Sequence, residues 1–185
     1  MSGPRLRADA QRNRTRLLEV AGAAFAAGAD PALEKIARDA GVGIGTLYRH
    51  FPTREALVEA VYRHELAAVG AGVDVLLAEH DDAAGALRAW TDRYADFVTT
   101  KRGMAGTLKA MIAEGALASA NTRETITGAV AALLDAGVAD GTLRAGADAD
   151  DVVTLLVGAF LATDGTDDRA RVGRLLDLVV AGLRA

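Results

Sequence analysis

The chain has 185 residues, 51% of them hydrophobic, with no cysteine and a formal net charge of −4. That length can bury a sizeable core, in one domain of good size or two small ones, while the missing cysteine excludes disulfides, thiol catalysis and Cys-based zinc sites. The longest uncharged run, Val152 to Thr163, is twelve residues, well short of the ~20 that a membrane-spanning helix needs. No apolar stretch of signal-peptide length follows the N-terminal arginines, so a soluble, cytoplasmic protein is expected.

Charge divides along the chain. Residues 1–64 carry ten basic and seven acidic side chains, whereas the remainder carries eleven and eighteen. A basic N-terminal part before an acidic C-terminal one points to a polyanion as the partner of the first part alone. Alanine and leucine dominate the apolar fraction and there are three prolines, which favours an all-α protein. About nine helices are expected, with no strand, repeat or linker.

The first helix is predicted over residues 8–27, where Leu17, Leu18, Ala21, Ala24 and Phe25 recur at helical spacing and Gly28 ends the pattern. The second opens in "ADPALEKIARDAG", with Asp30 as N-cap and Pro31 at the first helical position. Gly41 is its expected stop, since the left-handed conformation penalises any residue with a Cβ. A short third helix fits residues 44–51, and a fourth, capped by Thr53, fits residues 53–79. Trp90, Tyr94 and Phe97 mark another helical stripe. Short irregular helices follow around Gly103 and Gly106, then helices over 125–139, over 149–162 capped by Asp148, and a last one to about Leu183 capped by Asp167 or Asp168.

The stretch "GVGIGTLYRHFPTREAL", Gly41 to Leu57, has glycines at alternate positions. A dinucleotide-binding loop would need a third glycine after a strand; here Thr46 holds that place and a helix precedes it. No G-K-[ST] run follows for a P-loop. A helix, a tight turn at Gly41–Gly43 and a second short helix spell a helix-turn-helix. Gly45 weakens the third helix from an outward position, so it is either tolerated there or serves a close approach of backbone to DNA.

Over residues 12–64 the chain resembles the DNA-binding domain of TetR-family transcriptional regulators. The likeness lies in "IA…AGV" at the turn, "GTLYRHF" on the recognition helix and "TREAL" opening the fourth helix. "ALRAW" and "TKRGM" are similar to the SbtR-like branch. The resemblance implies residues 1–52 as a helix-turn-helix domain, a fourth helix over 53–79 as connector, and residues 53–185 as a ligand-binding and dimerisation domain. It places Gly45, Thr46 and Arg49 at base edges, Tyr48 and His50 at phosphate or sugar, and Thr53 and Arg54 at phosphate. Residue chemistry agrees on the last pair, because free N–H groups, a helix dipole and a guanidinium converge there. Arg49 also has the bidentate chemistry suited to guanine.

One departure from the family pattern is "DPAL", where many relatives carry a Ser or Thr donor. Arg5, Arg7, Arg12, Arg14 and Arg16 either compensate as a minor-groove arm or form a solvated tail. For the C-terminal part, the resemblance implies a ligand pocket lined by Trp90, Tyr94, Phe97, Met104, Leu108 and Met111, with Ile112 beside them. Spacing alone reads the same residues as core. It also implies a four-helix dimer interface. The candidate stripes are Val152, Leu156, Ala159 and Thr163, then Leu175, Leu176, Val179, Val180 and Leu183, unless these pack within one subunit.

The expectation is therefore a sequence-specific DNA-binding transcriptional regulator, a ligand-released repressor binding a palindromic operator as a homodimer. No cofactor, metal or membrane is expected. The alternative is a helical small-molecule-binding protein or enzyme without a DNA role. The three histidines, His50, His64 and His80, show no catalytic spacing.

Overall fold

The computed structural model describes residues 4–28, 31–115, 120–163 and 169–185. Among them the chain forms ten α-helices: α1 (Pro4–Ala27), α2 (Leu33–Asp39), α3 (Ile44–His50), α4 (Arg54–Ala71), α5 (Val73–Glu79), α6 (Ala83–Gly103), α7 (Ala105–Ala113), α8 (Ala120–Asp140), α9 (Ala149–Ala162) and α10 (Arg169–Leu183). The all-α expectation holds, with one helix more than anticipated: the predicted fourth helix is interrupted at Gly72 and becomes α4 and α5. Asp30, Asp167 and Asp168, named as caps, lie outside the described residues.

The chain divides into two compact units, Met1–Glu65 with Thr99–Ala118, and Leu66–Val98 with Ser119–Ala185. The division falls within α4 at residues 65 and 66, and the segment 99–118 joins the first unit. Helices α4 and α6 each contribute to both.

In the first unit, Leu17, Leu18, Ala21 and Phe25 of α1 are buried together with Ile36, Leu47, Phe51, Leu57 and Val61. Each of these side chains larger than alanine contributes roughly 1.5–3 kcal/mol on burial. Helix α2 packs on both α1 and α3. It starts two residues later than Asp30 and Pro31 suggested: Ala32 is its N-cap, in extended conformation and without a side-chain cap. The α2 terminus is as expected. Gly41 has φ +70°, Val42 N–H donates to the Ala37 carbonyl at 2.9 Å, and Gly41 N–H to that of Arg38 at 3.0 Å. These two bonds form a Schellman motif that turns the chain into α3.

The second unit is organised around Trp90. Its ring is wholly buried, its Nε1–H donates to the Val69 carbonyl at 3.0 Å, and it stacks on Tyr94 at 5.4 Å. Tyr94 in turn meets the edge of Phe160 at 5.4 Å. Helix α9 packs against α8 and α10. Asp148 caps α9 as predicted, accepting from the N–H groups of Asp150 (2.8 Å) and Asp151 (3.1 Å). Asp140 does similar work at two places, accepting from Thr142 in its own turn and from Ala83 N–H, the first residue of α6, at 2.8 Å. These bonds hold its carboxyl below the usual aspartate range, the Thr142 hydroxyl most of all.

Candidate nucleic-acid interface

Helix α3 buries only Leu47, and Ile44 (37% exposed) and Tyr48 (45% exposed) face water. A seven-residue helix with one anchoring side chain leaves the rest of its surface for a partner. Arg49 is exposed, and its Nη2 donates to the Thr46 hydroxyl at 2.8 Å, one turn earlier. That bond orients the guanidinium along the same open face. A Cβ added at Gly45 would meet nothing within 4 Å, so no internal packing requires glycine there. Glycine there is either tolerated or serves an approach from outside the chain. Ile44 was not among the sequence candidates, and its exposure becomes visible only in the fold.

Thr53 is the N-cap of α4, accepting from Ala56 N–H at 3.1 Å. Glu55 sits in the same first turn. Its carboxyl is held below the ordinary glutamate range, first by its own backbone N–H and then by the Thr53 hydroxyl. Thr53 and Glu55 thereby engage two of the N–H groups at this helix start.

Arg54 is half-buried and turned inward. Its Nη1 donates to the Pro31 carbonyl at 2.9 Å, and its guanidinium lies over the Phe25 ring, 5.6 Å from the centroid. Its position beside the recognition helix is as expected; its side chain is committed to the interior.

His50 lines a cleft of about 430 Å³ with Arg14, Phe51, Glu59, Arg63 and His64. Arg14 lies over the Phe51 ring at 5.4 Å, and Arg63 pairs with Glu59 at 2.8 Å. The arginines at 12, 14 and 16 belong to a regular helix from Pro4 onward, and Arg12 is paired with Asp9. The described part of the expected arm is therefore helical. The side chains of Arg5 and Arg7 lie outside the description.

The pocket candidates fall in both units. Trp90, Tyr94 and Phe97 are buried in the second, and Met104, Leu108 and Met111 in the first. Ile112 is exposed.

The candidate interface stripes are partly buried within the chain and partly open to water. Leu156 and Leu176 are wholly buried and Leu183 nearly so, while Ala159, Leu175 and Val179 are half-buried. Leu156, Leu176 and Leu183 therefore pack within their own chain, while the other three keep part of their surface in water. The leucines that α9 and α10 leave in water are Leu155 (59% exposed), Leu161 (69%) and Leu178 (69%), on the neighbouring face. The run "VVTLLVGAFLA" is apolar around its whole circumference, so periodicity could not choose between the two faces.

A tight-turned pair of short helices, the second anchored by one leucine and otherwise presenting a polar, basic surface, defines a helix-turn-helix DNA-binding module. The model of the bacterial regulatory proteins of the tetR family matches residues 17–61, and that of the SbtR-like transcriptional regulator C-terminal domain matches residues 82–185. A TetR transcriptional regulator from Streptomyces coelicolor is similar at 48% identity and a TM-score of 0.85, over 92% of this chain and 98% of that one. A TetR regulatory protein from Mycobacterium vanbaalenii is similar at 33% identity and 0.74, over 97% and 99%. A TetR-family regulator from Agrobacterium tumefaciens shares the fold at 20% identity and 0.65, over 95% and 100%. No match is found among curated proteins. The chain belongs to the TetR family of bacterial transcriptional regulators. As a member it is a DNA-binding regulator and not an enzyme. No described helix is long and apolar enough to cross a membrane.

Proposed function

We propose that this regulator is a cytoplasmic, homodimeric repressor that binds a palindromic operator and leaves it when a small-molecule effector binds. The observation that carries the DNA side is the open face of α3. Thr46 and Arg49 are joined by a hydrogen bond, Tyr48 is exposed and Gly45 has free space beside it. In this reading Arg49 reads a base edge, with Thr46 steadying it and Gly45 admitting the backbone close to the groove. Tyr48 and His50 meet phosphate or sugar. Thr53 serves phosphate through the helix start that it caps.

A single recognition helix reads few base pairs, so a dimer with two half-sites follows. Leu155, Leu161 and Leu178 support it: three largely exposed leucines on two mutually packed helices, each worth roughly 1.5–3 kcal/mol if covered. We assign the effector response to the segment of α6 that carries Trp90, Tyr94 and Phe97.

The test is selection of genomic fragments of the source organism on the purified protein, followed by gel shift. Enrichment of an inverted repeat, released by a fraction of cell metabolites, is the expected outcome. Retention of DNA without sequence preference would remove the operator reading. Retention that no metabolite relieves would remove the effector.

A further inference from the structure

The sequence pattern places Arg54 at DNA phosphate, yet its side chain runs the other way. Arg54 joins three elements of the first unit. It sits at the start of α4, its guanidinium covers the ring of Phe25 near the end of α1, and its Nη1 holds the Pro31 carbonyl just ahead of α2. That last contact matters because α2 begins at Ala32 without a side-chain cap. A charged donor on the preceding carbonyl is a hold on the start of the helix-turn-helix.

Phe25 is also gripped from a second direction. Gly103, the last residue of α6, lies so close to it that an added Cβ would sit 1.9 Å from the Phe25 carbonyl oxygen and 2.7 Å from its carbonyl carbon. Both are backbone atoms and cannot swing aside. The end of α6 and the last turn of α1 thus touch backbone to backbone, a contact that only glycine permits.

We propose that Gly103, Phe25 and Arg54 form a joint that sets the pose of α2 and, through the Gly41 turn, of the recognition helix. Arg54 is then a positioning residue for DNA recognition, and the end of α6 has a direct mechanical hold on the helix-turn-helix. The DNA arm of the test rests on the regulator reading; the arm on the free protein does not.

Two variants of the full chain separate a joint from a phosphate contact. Arg54→Lys keeps the charge but loses the planar fork that can stack and donate together. As a joint residue, Arg54→Lys should behave like Arg54→Ala. In the free protein, amide hydrogen exchange across residues 33–47 should quicken about ten-fold in both, the loss of one charge-assisted hydrogen bond. As a phosphate ligand, Arg54→Lys should exchange like wild type and bind a short mixed-sequence duplex with an unchanged salt slope, while Arg54→Ala lowers that slope by about one charge. That second pattern overturns the proposal.

Gly103→Ala tests the other side. Its effect on exchange should reach residues 33–47, and combined with Arg54→Lys it should fall short of additive, because both act through Phe25. Effects confined to residues 99–113, or simple additivity, would break the link. If Gly103→Ala does not fold, Arg54→Lys decides alone. Failure of the wild type to bind any duplex would sink the regulator reading while leaving the exchange result to judge the joint.

Discussion

Trp90 is the place where a ligand pocket and a packed core make opposite predictions. It is the only tryptophan of the chain, wholly buried, stacked on Tyr94 and bonded to the Val69 carbonyl. Trp90→Ala removes the indole from a site where neighbours touch it on every side. Large-to-small changes of this kind cost roughly 3–5 kcal/mol. For a chain of this size each kcal/mol lowers the melting temperature by about 2–4 °C, so a fall of roughly 6–20 °C is expected. Trp90→Phe keeps a ring against Tyr94 and loses the Nε1 hydrogen bond, about 1 kcal/mol, with some volume. It should melt only a few degrees below wild type. Thermal unfolding followed by far-UV circular dichroism measures both without relying on the removed fluorophore. If Trp90→Ala melted within about 3 °C of wild type, the site would tolerate an empty volume the size of an indole. The tight-packing assignment would then be refuted, and the effector response assigned to the segment around Tyr94 and Phe97 would gain a preformed cavity.

Leu178→Asp and Leu155→Asp should leave the fold intact, because both side chains already face water, and light scattering should report monomers in place of dimers; Leu176→Asp, wholly buried, should instead unfold the chain by leaving an unpaired charge inside. Arg49→Ala should relax base preference at one operator position, costing about 1–3 kcal/mol there, whereas Tyr48→Ala should weaken binding to all sequences alike; gel shifts on operator variants distinguish the two. Asp148→Ala removes the cap of α9 and should cost about 1 kcal/mol, a fall of a few degrees in melting temperature with the dimer preserved.

The recognition module was legible in the sequence because its constraints are local. Gly41 needed a positive φ, Leu47 needed burial, and both needs are written in residue type and spacing over about ten positions. The Asp148 cap was legible for the same reason. What escaped depends on contacts between distant segments. Nothing near Gly103 in sequence announces that its missing side chain makes room for the Phe25 carbonyl. Nothing near Arg54 says that Pro31 and Phe25 will claim it. The choice between Leu155 and Leu156 as the outward residue was also beyond reach, since α9 is apolar on both faces and the burial of one face is decided by α8 and α10.

The same distinction bears on how the interface should be read. A basic residue beside a recognition helix is a candidate for DNA by charge alone, and Arg14, Arg49 and Arg54 all qualify on that ground. The structure separates them by what each guanidinium already does. Arg14 lies over Phe51 and Arg54 over Phe25, each spending its planar face on the protein's own aromatic core. Arg49 is exposed and hydrogen-bonds Thr46 on the same outward face. Desolvating Arg49 against a base edge therefore disrupts no contact that holds the fold, while drawing Arg14 or Arg54 to a phosphate would first uncover a buried phenylalanine. Specificity is best carried by the side chain whose bound and free states differ least in the cost to the protein, and among these three that is Arg49.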